Sequence, residues 1–203
     1  DKVPAVVASR GLELGARTEA LPGLQSSLAL WTLKFGSELV YVGDAGATEA
    51  SLGSKRHGVE FNNRWTPVPW FLLDADLAWT HARFDNGDRI PNSVDRVMSL
   101  AMTLRELGPW TASLQWRHLG TGPLIEDNSV KSDGSTLVNL RLGRESARWG
   151  LFLDVLNLLD RRDHDIDYFY ASRLAGEPAA GIEDIHYHVF PAREARISLQ
   201  LAF

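Results

Sequence analysis

Apolar and polar side chains alternate at the end of the chain. The last eleven residues read REARISLQLAF, which places Ala195, Ile197, Leu199, Leu201 and Phe203 on one face of an extended segment. An alternation with a period of two residues predicts a β-strand with one apolar and one polar face. The chain therefore ends on a predicted strand whose terminal residue is aromatic.

The same alternation recurs along the rest of the chain. It predicts about nine strands, at residues 9–20, 24–42, 56–66, 70–83, 96–106, 110–119, 136–145, 149–159 and 193–203. In the second segment, for example, Ala29, Trp31 and Leu33 share the predicted apolar face, opposite Lys34. The fold class predicted from this pattern is all-β and antiparallel.

The predicted connections alternate between short and long. Short turns fall near residues 22, 67, 108 and 147, and long loops fall near residues 49, 90, 128 and 175. Outer-membrane barrels show this asymmetry, with tight turns on one side and longer external loops on the other. Strands of about ten residues also match the length that crosses the hydrocarbon layer at a tilt.

Aromatic residues recur at corresponding places in these strands. Trp70, Trp110 and Trp149 each follow a short turn, and Phe203 would join them at the same rim. Trp79 lies nine residues beyond Trp70, which spans about 23 Å at about 3.3 Å per residue and a tilt near 40°. We therefore expect two aromatic girdles at the membrane interfaces, with Trp79 in the second.

Composition narrows the alternatives. The 203 residues carry a formal net charge of -5, which gives no support for a nucleic-acid surface. The chain has no cysteine, and no apolar run reaches the roughly 18 residues of a transmembrane helix. The mean hydropathy of -0.16 is compatible with a soluble β-sandwich or lectin-like binding module as well as with a barrel. That soluble alternative stays open at this stage.

The odd number of predicted strands bears on the domain organisation. Bacterial single-chain barrels have an even number of antiparallel strands. We therefore expect residues 1–203 to form the C-terminal portion of a larger transmembrane barrel, whose other strands lie outside this chain. The charged face of the strands would then line a wide lumen.

Four stretches resemble the TonB-dependent outer-membrane receptors. Residues 151–162 (LFLDVLNLLDRR) resemble the "vxNLfD" strand end of that family, and residues 9–14 (SRGLEL) and 55–61 (KRHGVEF) resemble its "sxGvE" strand start. Residues 196–203 (RISLQLAF) resemble its closing strand. The resemblance covers nearly all of the chain, in consistent order.

The resemblance implies a fold, a function and a set of partners. Members have a 22-stranded barrel with an N-terminal plug, and they take up siderophores or other scarce nutrients with energy from TonB. The implied partners are outer-membrane lipid, the plug, the remaining strands, TonB through the missing plug region, and a small-molecule ligand. The barrel-assembly machinery would read the C-terminal Phe203. The implied location is the bacterial outer membrane.

The loop at residues 160–190 contains the best candidates for ligand binding. Histidines, carboxylates and aromatic residues cluster there, and the predicted ligand-binding residues are Asp163, His164, Asp165, Asp167, Tyr168, Tyr170, His186 and His188. Imidazole and carboxylate groups can contact a divalent metal or a ferric chelate. A solvated acidic loop that folds over the barrel mouth explains the same residues, so we predict no resident metal and no cofactor.

The chain lacks the signatures of common enzymes. It contains no G-x-S-x-G nucleophile elbow and no G-x-x-x-x-G-K-[ST] phosphate loop. Asp74 and Asp76 share a strand face as paired catalytic carboxylates would, but a lumen wall accounts for them. We therefore expect a receptor, and an outer-membrane enzyme such as a barrel lipase or protease is disfavoured.

Overall fold

A computed structural model describes residues 6–42 and 47–202 of the chain, with backbone alone for residues 40–42 and 47–50. Within these ranges the chain forms thirteen strands and no helix. The strands are β1 (Ser9–Thr18), β2 (Leu24–Phe35), β3 (Glu38–Val42), β4 (Ala47–Ser51), β5 (Ser54–Val68), β6 (Phe71–Phe84), β7 (Arg96–Leu107), β8 (Trp110–Leu119), β9 (Ser135–Glu145), β10 (Trp149–Leu156), β11 (His164–Ser172), β12 (Ile182–Val189) and β13 (Glu194–Leu201). In the described part, no helix is long and apolar enough to cross a membrane.

Nine of the described strands form one antiparallel sheet. Their order is β1-β2-β5-β6-β7-β8-β9-β10-β13, and β1 and β13 are its open edges. The predicted all-β antiparallel fold is therefore confirmed. A β-sandwich would place a second sheet against this one, whereas the remaining described strands form only the hairpins β3–β4 and β11–β12.

The connections differ between the two ends of the sheet. At one end, which we call the short-turn end, residues 19–23, 69–70, 108–109 and 146–148 link neighbouring strands. At the other, the long-connection end, the links are residues 36–53, 85–95, 120–134 and 157–193. The predicted alternation of short and long connections is thus present.

The pairing register assigns each residue to a face, because directly opposed residues in a sheet point to the same side. One row on what we call the outer face is apolar across eight strands. It consists of Leu24, Trp65, Leu73, Met102, Leu114, Leu140, Val155 and Ala195. A row on the opposite, inner face is largely polar and contains Arg17, Ser27, Asn62, Asp76, Ser99, Arg117 and Leu137.

The register corrects the predicted faces of β2. Ala29, Trp31 and Leu33 do share a face, but they lie opposite Glu60, Gly58 and Arg56, on the inner side. The outer side of β2 carries the leucines at positions 24, 28 and 30 instead. Alternation alone could not predict which face of β2 is the outer one, because residues 28–33 (LALWTL) place apolar side chains on both faces.

A close contact explains why an indole lies on the polar side. A Cβ added at Gly58 would lie 2.7 Å from Cζ2 of Trp31. The indole therefore packs over bare backbone, which only glycine leaves open.

Two predicted loops contain further strands. The second predicted segment, residues 24–42, is divided into β2 and β3, and residues 43–55, which were expected to be a loop, contain β4 and the start of β5. β3 and β4 pair as a hairpin. The carboxylate of Glu38 fixes that hairpin to β5 through hydrogen bonds from Ser54 and Arg56. Likewise, the loop predicted at 160–190 contains β11 and β12.

The sheet buries little of its own apolar surface. Ile197 and Leu12 on the edge strands are 76% and 73% exposed. The buried cluster is small and consists of Ala82, Phe84 and Ile90, at the long-connection end. Contiguous exposed apolar surface of this kind marks a contact with a membrane or with further protein.

Candidate functional site

The β11–β12 hairpin brings most of the predicted ligand-binding residues together. Its register sets Tyr168 opposite His186 and Ile166 opposite His188. A bulge between His164 and Ile166 lets Asp165 leave the ladder. Bulges redirect a side chain locally, so the bulge sets the direction of the Asp165 side chain.

One side of the hairpin carries a stacked aromatic pair. The rings of Tyr170 and His186 lie 3.9 Å apart between centroids at an angle of 25°. Nε2 of His186 lies 3.2 Å from the backbone oxygen of Tyr170. On the same hairpin, Nδ1 of His188 lies 2.9 Å from Oδ1 of Asp165. This side therefore offers flat π-surfaces beside an imidazole–carboxylate pair.

A second imidazole–carboxylate pair lies at the base of the hairpin. Nδ1 of His164 is 2.6 Å from Oδ1 of Asp167, whose side chain is buried. The ring of His164 also stacks on Tyr187 with centroids 3.8 Å apart. His164 is thus held by a carboxylate and an aromatic face together, which fixes the direction of its second nitrogen.

Asp163 anchors the hairpin to the sheet. Its Oδ2 accepts hydrogen bonds from the backbone N–H of Thr136, at 2.9 Å, and from Nε of Arg161, at 2.9 Å. Burial acts to raise the pKa of this carboxyl, but the hydrogen bonds from Arg161 and Thr136 outweigh it and hold the pKa below its usual range. Asp163 is therefore an ionised structural anchor.

The turn before Asp163 is fixed by side-chain hydrogen bonds. Nδ2 of the buried Asn157 donates to the backbone oxygens of Arg161, at 2.8 Å, and Pro191, at 2.9 Å, and its Oδ1 accepts from the N–H of Arg161, at 3.0 Å. Oδ1 of Asp160 accepts from the N–H of Arg193, at 2.8 Å. Two residues of the NLLD stretch thus join the end of β10 to the start of β13.

A cleft of about 380 Å³ lies between the hairpin and the long connections. We call it the hairpin cleft. Its lining consists of Asn92, Val94, Leu119, Gly120, Ser132, Asp133, Ser135, His164, Asp165, Ile166, Asp167 and Tyr168. The lining combines polar side chains with apolar surface and lies at the inner-face end of β8 and β9, so it suits a small molecule that carries both polar and apolar groups.

The cleft unites only some of the predicted site residues. His164, Asp165, Asp167 and Tyr168 line it, whereas the others lie on the rest of the hairpin or, for Asp163, beneath it. Sequence reasoning missed Tyr187, whose alternation with histidines in IHYHV was the available signal. It also missed cleft residues from two distant loops, for which a single sequence carries no signal.

The described residues offer no cluster suited to a bound metal ion. None of their groups of three or more His, Cys, Asp or Glu side chains has the geometry to hold one. Each imidazole at the cleft or on the hairpin instead contacts a carboxylate, an aromatic ring or both. The arrangement offers stacking surfaces and hydrogen-bonding groups to a ligand's polar rim or aromatic group.

The predicted girdle residues lie on or near the outer face. Trp110 and Trp149 start β8 and β10 at the short-turn end, and the guanidinium of Arg144 lies over both rings, at 5.6 and 5.0 Å. Trp70 lies in a short turn and Trp79 lies on β6, and both are exposed. Phe203 falls outside the described residues.

Comparisons with known proteins agree on the fold. The family model described as "TonB dependent receptor-like, beta-barrel" matches residues 8–158. The ferric yersiniabactin uptake receptor FyuA from Yersinia pestis matches with a TM-score of 0.73 and 18% identity, over 97% of this chain and 30% of that chain. The ferric-catecholate import receptor Fiu from E. coli K12, in its closed form, matches with a TM-score of 0.71 and 16% identity. This match covers 97% of this chain and 28% of that chain.

A third solved structure has the same relation to this chain. The siderophore receptor PiuA from Acinetobacter baumannii matches with a TM-score of 0.71 and 15% identity, over 94% of this chain and 28% of that chain. At these identities the likeness concerns the fold. The chain spans less than a third of the length of these receptors.

Proposed function

This chain belongs to the family of TonB-dependent receptor-like β-barrels, and from that premise we propose that it forms the C-terminal portion of an outer-membrane uptake receptor. The family consists of receptors and transporters rather than enzymes, and its members are outer-membrane barrels of Gram-negative bacteria. The proposed cargo is a scarce nutrient such as siderophore-bound iron, and the proposed energy source is TonB.

The observation that carries the proposal is the open sheet with two unlike faces. The edge strands β1 and β13 keep unpaired outer backbone groups and exposed leucines. Exposed strand edges are liabilities that barrels remove by closure. Further strands of the same receptor would pair with both edges and complete the barrel.

The inner face supports a polar partner within the barrel. Arg64 faces Asp74 at 3.6 Å and Arg141 faces Asp154 at 3.3 Å, both partly open to solvent. A plug domain could exchange hydrogen bonds with these groups without leaving buried charges unpaired. TonB would act through that plug.

The outer face supports contact with lipid. Its apolar rows end near Trp110, Trp149 and Trp70 at the short-turn end and near Trp79 toward the other, which fits two interfacial girdles. The long-connection end would then face the outside. We further propose that Phe203 belongs to the aromatic girdle at the short-turn end and that the barrel-assembly machinery recognises it.

The hairpin cleft and the stacked pair of Tyr170 and His186 on the same hairpin together form the proposed outer part of the ligand site. Its mixture of imidazole, carboxylate and aromatic groups suits a chelate that carries its metal inside an organic shell. A ligand of this kind is held by its rim, through stacking and hydrogen bonds.

Uptake by the complete receptor tests the proposal. A strain that lacks the receptor is complemented with the full-length protein, and uptake of labelled ferric siderophores, ferric citrate and cobalamin is measured with and without TonB. We expect TonB-dependent uptake of one of these compounds. Absence of TonB-dependent uptake for all of them, or purification of the receptor as a soluble protein without detergent, would contradict the proposal.

Hairpin variants of the same receptor test the ligand site. Replacing Tyr170 and His186 with alanine removes the stacked pair. We expect ligand affinity to fall about thirtyfold, since each of the two aromatic contacts contributes about 1 kcal/mol. Leu174→Ala, at an exposed position between β11 and β12, is the matched control. Equal affinity in both variants would place the ligand elsewhere.

A further inference from the structure

A row of four basic residues crosses the outer face at the long-connection end. The register sets Arg10 opposite Lys34, Lys34 opposite Lys55, and Lys55 opposite Arg83, on the adjacent strands β1, β2, β5 and β6. All four side chains are exposed. We call this set the basic row.

The basic row is electrostatically unfavourable by itself. Like charges directly opposite each other on neighbouring strands are destabilising. Among the described residues, the row makes one ion pair, between Nζ of Lys55 and Oδ1 of Asp85 at 3.0 Å. The hydrogen bond from Lys55 lowers the pKa of Asp85, and the charge of Lys34 adds to that effect, so one carboxylate serves two cations. Arg10 and Arg83 have no carboxylate partner in the part of the chain that the structure describes.

Two guanidinium groups beside the row compete for one imidazole. Nε of Arg83 lies 2.9 Å from Nε2 of His81, and Nη1 of Arg89 lies 3.4 Å from Nδ1 of the same ring. A neutral imidazole has only one acceptor nitrogen, so it cannot accept from both guanidinium groups. Nε of Arg89 is also buried and has no hydrogen-bond partner among the described residues. Nη1 of Arg83 donates to the backbone oxygen of Gly87, at 2.6 Å, so the donor left for an anion is the guanidinium nitrogen that His81 does not accept.

The position of the row identifies the kind of anion. It lies on the same face as the apolar rows, four residues along β2 from Leu30 and four along β6 from Trp79. At about 3.3 Å per residue and a tilt near 40°, the row lies about 10 Å beyond the apolar band along the membrane normal. Polar headgroups occupy the roughly 5–8 Å outside the hydrocarbon layer, and long basic side chains reach toward them.

Among the residues that the structure describes, the rest of the outer face at this end carries no comparable row. Arg96 on β7 is close to Asp95, at 3.6 Å, and His118 on β8 contacts the hydroxyl of Thr136, at 3.0 Å. The positive charge is thus concentrated on four strands. A general affinity for a negative surface would not require this concentration.

We propose that the basic row binds the phosphate groups of one anionic lipid in the external leaflet. Four strands spaced about 4.8 Å apart make the row about 14 Å wide, so a headgroup with two phosphates fits it better than a single phosphate. Guanidinium and ammonium groups form charge-assisted hydrogen bonds with phosphate oxygens. The inference rests on the proposed placement of this face in the outer membrane.

Lipid binding to the full-length receptor in dodecyl maltoside micelles tests the inference. The probes are diphosphorylated lipid A, phosphatidylcholine and inorganic phosphate, and bound lipid is counted by native mass spectrometry. The test variant combines Arg10→Gln, Lys34→Gln, Lys55→Gln and Arg83→Gln. The matched control combines Lys131→Gln, Arg148→Gln, Arg162→Gln and Arg173→Gln, which removes the same charge from exposed positions outside the row.

We expect the receptor and the control variant to bind lipid A in preference to phosphatidylcholine. The test variant should bind it at least about tenfold more weakly, since each basic side chain near an anionic surface strengthens binding several-fold. The double variant Lys34→Gln/Lys55→Gln should show an intermediate loss. It keeps the test decisive if the fourfold variant does not fold.

Three results would overturn the inference. They are equal lipid A binding by the test and control variants, equal loss in both, and inorganic phosphate displacing lipid A at equal phosphate concentration. Failure of the proposed membrane location can be told apart from failure of the basic row, because a receptor outside the membrane would purify without detergent. Failure of the basic row alone would leave insertion and nutrient uptake intact.

Discussion

The short-turn end and the long-connection end of the sheet differ in what closes their connections. At the short-turn end, backbone conformation is the main factor: Gly23 and Gly108 adopt φ values of 73° and 63°, and the N–H of Thr66 donates to the oxygen of Gly23 at 2.7 Å. Side-chain hydrogen bonds there are few and local, such as those between Ser146 and Trp149. At the long-connection end, side chains such as Asn157 and Asp163 supply the hydrogen bonds. An end closed by side chains can accommodate a cleft and change its chemistry without altering the strands.

The largest effect is expected from a substitution at the short-turn end. A Cβ at Gly23 would lie 2.2 Å from the backbone oxygen of Thr66, and positive φ adds strain. We expect Gly23→Ala to lower the free energy of unfolding of the full-length receptor by about 3 kcal/mol, measured by urea titration in lipid vesicles. Gly87→Ala, with φ 98° and open space around it, is the control and should cost about 1 kcal/mol. Equal losses would show that the contact with Thr66 is unimportant.

A smaller effect is expected from the Asn157 side chain at the long-connection end. Asn157→Ala removes three side-chain hydrogen bonds and leaves backbone groups of Arg161 and Pro191 without these partners. We expect a loss of about 2 kcal/mol in the same titration, with faster hydrogen exchange at the start of β13. Asn128→Ala is the control, because Asn128 also has positive φ but lies in a loop away from β13. If the two variants match, the asparagine does not join β10 to β13.

These contrasts also explain what could be predicted from sequence. The nine strands and their alternating connections followed from residue periodicity and from turn residues such as Gly23 and Gly108, which act locally. The sequence did not predict that Trp31 lies on the inner face. The apolar run around it is ambiguous until the register shows that Gly58 lies opposite. The cleft did not follow either, because Asn92, Ser135 and His164 come from three separate segments. The basic row became visible only through the register of four strands.

Acid should weaken the long-connection end selectively. The pKa of Asp163 is held below its unfolded value of about 3.9, so the native state favours the ionised form. Its contribution is complete above about pH 4 and is lost as pH falls through the lower folded pKa. Hydrogen exchange at the Thr136 amide, corrected for its intrinsic pH dependence, should accelerate below pH 4. Asp163→Asn should abolish that acceleration, and an unchanged profile in the variant would assign it to another group.

The smallest effect is expected at the outer surface of the short-turn end. Arg144 lies over the rings of Trp110 and Trp149, opposite Trp110 in the register. Such contacts contribute about 0.5–1 kcal/mol at exposed sites, so Arg144→Gln should lower unfolding stability by that amount and alter tryptophan emission. Arg148→Gln removes a neighbouring charge without a ring contact among the described residues and should change neither. If unfolding stability is unchanged in both variants, the ring contacts of Arg144 do not stabilise the short-turn end. Its stability would then depend on the backbone turns, in contrast to the side-chain hydrogen bonds of the long-connection end.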